Sequence, residues 1–320
     1  MWRSDPTLVG PARATMADVE ALNRTFAEAF TERYRRDGLS GVRVPYLNPA
    51  VWQFAIEDAG DGAMIWRDTR GDIVAFNMVH RSGTEGWMGP LAVRTDRQGR
   101  GHGGRIVRQG IAWLESQGAR TIGLETMPRT IDNIGFYSRL GFIPDHLTVT
   151  LQRERPRATG RAAERLSDYT AGARAPIIGE CRTLADAVVA GVDFTREIDL
   201  TLEHNLGDVT LFRDAGGGLL GLALWHSAPL AQGRAQEELR ILKLVARDTV
   251  DAMAVIAAVE REANARGLGR LSLRCQTRHA DLYAALIRDE FRVQWTDLRM
   301  TLAGKGEQER RGVLLSNWEI

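Results

Sequence analysis

LAVRTDRQGRGHGGRIVRQGIAWLE, residues 91–115, is the stretch on which the reading of this chain turns. An apolar triplet, Leu91, Ala92 and Val93, leads into a polar segment where four glycines (Gly99, Gly101, Gly103, Gly104) fall within six residues. Beyond them Ile106, Val107, Gly110, Ile111 and Leu114 recur at helical spacing. The order predicts a strand, a bare loop and an amphipathic helix. Glycines there permit positive φ or the close approach of another group to the backbone. At a helix N-terminus, free N–H groups and the helix dipole favour an anion, most often phosphate. A plain surface turn is the alternative, but one or two glycines suffice for that.

Different phosphate sites use different glycine spacings. A P-loop needs Lys and Ser/Thr after its last glycine, and neither follows here. Gly99, Gly101 and Gly104 do spell the dinucleotide pattern G-x-G-x-x-G, with Glu125 near the end of the next predicted strand. Against that reading, RTDRQ separates the strand end at Val93 from the glycines, where a dinucleotide fold needs an immediate turn. Antiparallel-looking strands also precede the unit, and only a short helix ending FYSRLGF follows it.

The surroundings are those of an ordinary globular chain. Its 320 residues suit two domains, and 42 basic residues nearly cancel 41 acidic ones, so nothing points to nucleic acid as a partner. The longest apolar run, GLLGLALWH, is too short to cross a bilayer, and the N-terminus has no export-signal pattern; a cytoplasmic protein is expected. Cys181 and Cys275 make neither a disulfide framework nor a zinc pattern, so no metal is expected. Helices are predicted over TMADVEALNRTFAEAFTERY, capped by Thr15 or Asp18, over NPAVWQFAIEDAG and over TIDNIGFYSRLG. Strands are predicted within GAMIWRDTRGDIVAFNMVH, GWMGPLAV, RTIGLETM and HLTVTLQRE. Residues 152–175 are polar and read as a linker. Past them the first half recurs: WRDTRGDIVAFNMVH (66–80) aligns with FRDAGGGLLGLALWH (212–226), and residues 118–142 align with 267–291. The terminal GVLLSNWEI reads as a strand completing a sheet.

QGRGHG (98–103) matches Gln/Arg-x-x-Gly-x-Gly/Ala, and GFYSRLGF (135–142) matches an aromatic-Tyr-x-x-x-Gly-Phe signature. Together with the LAV strand these motifs resemble the GNAT superfamily of acyl-CoA-dependent N-acyltransferases. The resemblance implies an α/β (α+β) fold of two GNAT-like domains, each a mixed, mostly antiparallel central sheet flanked by helices. Residues 1–151 would be the acetyl-CoA-binding catalytic domain, 152–175 the linker and 176–320 a degenerate copy. The implied reaction moves an acetyl group from acetyl-CoA to a primary amine, on a small molecule or peptide, by direct transfer in a ternary complex. No metal, nucleic acid or membrane takes part, and monomer and homodimer both stay open. A dinucleotide-dependent oxidoreductase and a non-catalytic acyl-CoA-binding or regulatory module are the rival readings.

Residue by residue, the resemblance sets the acetyl-CoA pyrophosphate on backbone amides of Gln98, Gly99, Arg100, Gly101, His102, Gly103 and Gly104, with the Arg100 and His102 side chains solvated. Leu91, Ala92 and Val93 would pair with the pantetheine arm, an N–H of Leu91 or Val93 polarising the thioester. Tyr137 matches the general acid that protonates the departing thiolate. Thr130 stands where relatives often carry Asn, and Asn133 is the substitute for holding the pantetheine. Glu125 is the first candidate base, with Glu85, His80 and the C-terminal carboxylate of Ile320 behind it. In the second copy Tyr137 becomes Leu286, Asn133 becomes Leu282 and Gly141 becomes Glu290, and the loop ARDTVDAMAV has no glycine. That copy is expected to bind no acetyl-CoA and to wall the acceptor pocket.

Overall fold

The computed structural model describes residues 8–318. The first half runs β1 (Val9–Arg13), α1 (Val19–Arg36), α2 (Pro49–Ala59), β2 (Ala63–Arg67), β3 (Ile73–Ser82), β4 (Glu85–Val93), α3 (His102–Ser116), β5 (Thr121–Thr126), α4 (Ile131–Ser138) and β6 (Phe142–Glu154). Local chemistry sets most boundaries. Thr15 and Asp18 make a capping box ahead of α1, and Asn48 caps α2 by accepting from the Ala50 N–H at 3.0 Å, with Pro49 at the first helical position. Helix α3 lies on the sheet through Ile106, Val107, Gly110 and Leu114. Gly110 is bare because a Cβ there would come within 2.7 Å of Met88 Sδ.

The second half repeats the order as β7 (Glu164–Arg165), α5 (Ala171–Val188), α6 (Thr195–Glu203), β8 (Gly207–Arg213), β9 (Leu219–His226), β10 (Glu238–Ala246), α7 (Thr249–Ala265), β11 (Arg270–Gln276), α8 (Ala280–Arg288), β12 (Arg292–Leu302) and β13 (Val313–Ser316). Residues 152–175, read as linker, hold the end of β6, all of β7 and the start of α5. The hairpins β2–β3 and β8–β9 fall at the spacing seen between 66–80 and 212–226, and β5–α4 and β11–α8 at that between 118–142 and 267–291. Phe142, opening β6, and Phe291, immediately before β12, are both core residues, and Glu290 keeps a positive φ (68°) where Gly141 has 96°.

One mixed, mostly antiparallel sheet joins the halves, in the order β1-β2-β3-β4-β5-β12-β6-β11-β10-β9-β8-β7. The order is a palindrome in which the two closing strands are exchanged. β12 of the second half pairs with β5, while β6 of the first pairs with β11, and β6 and β12 lie side by side at the centre. A cut at residue 151 therefore divides the chain but not the sheet.

Only β4–β5 and β10–β11 are parallel among the described strands, and both pairs part early. β4 bonds β5 over Glu85–Met88, and β10 bonds β11 over Glu238–Ile241. Beyond the parting point the halves differ. Leu91, Ala92 and Val93 face Asn77, Phe76 and Ala75 of β3, with no strand on the β5 side. Their counterparts Leu244, Val245 and Ala246 face β9 and, on the other side, pair with Leu315, Leu314 and Val313 of β13. The chain's own last strand fills the second cleft.

β13 is an apolar wedge: Leu314 and Leu315 are 0% and 1% exposed. Leu315→Ala is expected to lower unfolding free energy by about 2–5 kcal/mol, the usual cost of truncating a buried leucine. Urea denaturation measures it, and a midpoint equal to wild type would mean that β13 adds nothing to the core.

Candidate active site

The glycine loop leaves β4 through a short 3-10 turn, Thr95–Arg97. Gly99 and Gly101 have φ of 76° and 83°, Gly101 serving as the N-cap of α3. A Cβ on Gly99 would meet nothing within 4 Å, so backbone conformation, not crowding, calls for glycine there. With no side chain at the N-cap, the first amides of α3 have no side-chain acceptor from that position. In the second half Asp248 caps α7, accepting from the Asp251 N–H at 2.8 Å.

A cavity of about 660 Å³ opens against this loop. Gln98, Gly99, Gly101, His102, Gly103 and Gly104 line one side, Leu91, Ala92 and Val93 another, and Asn133 and Tyr137 complete the wall. Arg100 is not in that wall; it is exposed and reaches back to the Asp96 carbonyl at 3.5 Å. His102, expected in solvent, is 5% exposed, because the helix start folds it inward. Five arginines, Arg33, Arg36, Arg97, Arg108 and Arg139, line the cavity with Glu32 as the single carboxylate. Their convergence from α1, the 3-10 turn after β4, α3 and the end of α4 was invisible in the sequence, since isolated arginines on separate elements form no pattern.

A second cavity, about 690 Å³, shares Phe30, Arg33, Leu91, Asn133 and Tyr137 with the first. Its far walls come from the second half: Arg240 and Leu242 of β10, Arg274 of β11, Asp297 and Arg299 of β12, and Ser316, Asn317 and Trp318. Tyr137 stands at the junction, its ring 5.0 Å from Phe136 and 6.1 Å from Phe142 between centroids. Burial pushes its phenol up to about 12, so it is protonated at neutral pH. Asn133 Nδ2 donates to Thr126 Oγ1 at 3.4 Å. Thr130 is fully buried and donates to Asp37 at 2.6 Å, anchoring α4 to the end of α1.

Glu125 also lines the second cavity, but in a tight ion-pair network. Arg274 reaches Glu125 at 2.5 Å and Asp297 at 2.7 Å, and Arg299 reaches Glu125 at 3.2 Å while lying 3.6 Å over the Trp87 ring. Burial raises the Glu125 carboxyl; Arg274 and Arg299 outweigh it and hold the group below its ordinary range. A carboxylate held this way is a weak proton acceptor. Glu85 is outside both cavities, buried opposite Arg310 at 3.5 Å. His80 is in the second cavity wall, and Ile320 lies outside the described residues. No cluster of His, Cys, Asp and Glu among the described residues is arranged to hold a metal.

Residues 19–142, from the start of α1 to the first residue of β6, match the model of the acetyltransferase (GNAT) family. This stretch is a GNAT acetyltransferase domain. No curated protein matches the chain. Among solved structures, a putative acetyltransferase from Pyrococcus horikoshii aligns over 99% of this chain and 96% of its own, with TM-score 0.68 and 15% identity. A GCN5-related N-acetyltransferase from Sphaerobacter thermophilus aligns over 97% and 98%, with TM-score 0.59 and 16% identity. Saccharomyces cerevisiae N-myristoyltransferase with bound myristoyl-CoA aligns over 93% and 85%, with TM-score 0.60 and 9% identity. At such identities the likeness is one of fold, and it extends over both halves. The GNAT domain thus holds the glycine loop, Tyr137 and the open cleft, while the second half closes the adjoining cavity.

Removing Arg274 takes away the largest charge that opposes burial at Glu125. In Arg274→Met the Glu125 carboxyl pKa is expected to rise, followed by carbon-13 NMR of the labelled side chain. An unchanged or lower value would show that Arg274 does not govern it.

Proposed function

We propose that this protein is an N-acyltransferase that moves an acetyl group from acetyl-CoA to a primary amine within a ternary complex. The observation that carries the reading is the meeting of two cavities at Leu91, Asn133 and Tyr137, one against a glycine-rich helix start and the other walled by the second half. Residues 1–151 would supply the coenzyme A site, and residues 176–320 would shape the acceptor site without a coenzyme of their own.

In this scheme the pyrophosphate lies against the amides of Gln98 through Gly104, where charge-assisted N–H contacts are strong. Arg108 and Arg139 have no carboxylate partner among the described residues and add positive charge for the phosphates. The pantetheine lies along Leu91, Ala92 and Val93 as β13 lies along Leu244, Val245 and Ala246. The amine nitrogen attacks the thioester carbon, and a backbone N–H of Leu91 or Val93 stabilises the oxygen that gains charge. The C–S bond then breaks, and Tyr137 meets the departing sulfur. With its pKa near 12 the phenol acts chiefly as a hydrogen-bond donor to the thiolate. Glu125 serves to hold Arg274 and Arg299 in the cavity wall.

Thermal-shift measurements with acetyl-CoA, coenzyme A, NAD and NADP test the reading. The two coenzyme A compounds are expected to stabilise the protein, by about 2.7 kcal/mol at a hundredfold excess over Kd, and the nicotinamide compounds are not. Stabilisation by NADP without any by coenzyme A would replace acyl transfer with the oxidoreductase reading.

Tyr137→Phe is expected to lower kcat by about 10²–10⁴-fold, read by thiol release, with the Kd for acetyl-CoA little changed. Full turnover in that variant would remove Tyr137 from the chemistry.

A further inference from the structure

The second cavity contains a buried pair that the scheme above leaves unused. Asp58, on α2, and His80, on β3, are each 1% exposed, with Asp58 Oδ2 and His80 Nδ1 2.6 Å apart. A carboxylate facing Nδ1 makes that nitrogen the N–H and leaves the lone pair on Nε2. Nε2 is itself buried and has no hydrogen-bond partner, although His80 is part of the cavity wall. Leaving a buried acceptor unsatisfied costs about 1–3 kcal/mol, which a purely structural pair would avoid.

The neighbours keep Asp58 ionised. Burial pushes its carboxyl up, and the His80 hydrogen bond, with the charges of Lys243 and Arg196, brings it below its ordinary value. Trp318 Nε1 donates to the same Oδ2 at 3.3 Å, and Arg196 Nε lies 3.7 Å from Oδ1. The Trp318 ring stacks on the imidazole at 5.4 Å and 24°, and Lys243 Nζ is 3.5 Å from the Trp318 centroid. Further out, Glu197 of α6 pairs with Lys243 at 3.9 Å and accepts from Ser82. On β4, Trp87 faces His80 in register, under Arg299. Asp58 is thus the one carboxylate among the described residues in direct contact with the imidazole.

We propose that His80 Nε2 takes the proton from the incoming amine, with Asp58 as its positioning residue. The inference rests on the acyl-transfer reading. Along β3, Asn77, which faces Leu91, is three residues from His80, or roughly 10 Å of strand. His80 lines the second cavity together with Leu91 and Tyr137, and in this proposal the proton crosses the intervening distance through a short chain of waters in that cavity. Of the two protons that the ammonium loses, one passes to Nε2 and on to solvent. The other ends on the coenzyme A sulfur as the C–N bond forms and the C–S bond breaks. The imidazolium formed on the way is neutralised by Asp58, whereas Glu125 has its charge already committed to two arginines.

Nitrogen-15 NMR of the full chain, histidine-labelled, reads the tautomer directly. Turnover of a primary-amine panel with acetyl-CoA, followed by thiol release across pH, reads the role. The expected results are a neutral His80 with Nδ1–H and a bare Nε2, and in His80→Gln a kcat lower by about 10²–10⁴-fold with the acid limb of kcat/KM lost. The Kd for acetyl-CoA, from calorimetry, should be unchanged. Should His80→Gln fail to fold, Asp58→Asn carries the test: it is expected to shift the tautomer and lower kcat. An Nε2–H tautomer in the wild type, a kcat within about threefold of wild type in His80→Gln, or an unmoved tautomer in Asp58→Asn would overturn the proposal. Wild-type protein that binds acetyl-CoA and acylates an amine, but is indifferent to these changes, removes His80 alone. Wild-type protein that binds no acetyl-CoA removes the acyl-transfer reading with it.

Discussion

The exchange of closing strands is the constraint from which the rest of the molecule follows. Because β12 lies between β5 and β6, and β6 between β12 and β11, each half completes its sheet with a strand of the other. The ladder hydrogen bonds of β6 and β12 are made across the halves, so neither strand can leave without orphaning its neighbours' backbone groups. The same exchange carries Asp297 and Arg299 to the edge of Glu125, and Arg274 to the far side of the same carboxylate. The second cavity is therefore assembled by the sheet itself.

Backbone satisfaction also explains why two similar halves have one open cleft. A parallel pair that splays leaves unpaired N–H and C=O groups along each inner edge, and these must find partners. In the second half β13 supplies them along the β10 edge, with Leu314 and Leu315 sealing the gap. The helix N-terminus beside it is capped by the Asp248 side chain. In the first half the edge of Leu91–Val93 has no strand, the N-cap is a bare glycine, and a cavity lies where β13 would be. One architecture is thus closed by its own chain in one copy and left open as a cleft in the other.

Charge is organised in depth on the second-half side of the site. Arg299, 1% exposed, bridges Glu125 and Glu307, while Arg310 joins Glu307 to Glu85. Burial raises Glu307, but Arg299 and Arg310 outweigh it and hold its carboxyl far below the ordinary range. Its contribution to stability is accordingly full above the ordinary carboxylate pKa and is lost only as pH falls through the depressed value. Lys305, which donates to the Ala119 carbonyl, and Gly306, which accepts from Thr121, belong to the same loop after β12 and tie it to the first half.

What the sequence by itself determined is what depends on neighbours along the chain. The capping residues Thr15 and Asp18, the apolar stripe from Ile106 to Leu114, the bare segment from Gly99 to Gly104 and the repeat spacing were all legible, because turns, caps and amphipathic faces are written over a few residues. The glycines were read as permitting either positive φ or a close approach to the backbone, and Gly99 and Gly101 do have positive φ. Leu91–Val93, Gln98, Asn133 and Tyr137, singled out through the family resemblance, line one cavity. What only the tertiary structure decided is what depends on which strand lies beside which. The exchange of β6 and β12, the plugging of the second cleft by β13, the burial of His102, the pairing of Glu125 with two arginines and the contact of Asp58 with His80 join residues up to 178 positions apart. The physical reason is that sheet pairing is backbone hydrogen bonding, for which side chains carry no address, so strand partners and the charges they bring together are selected by burial of the whole.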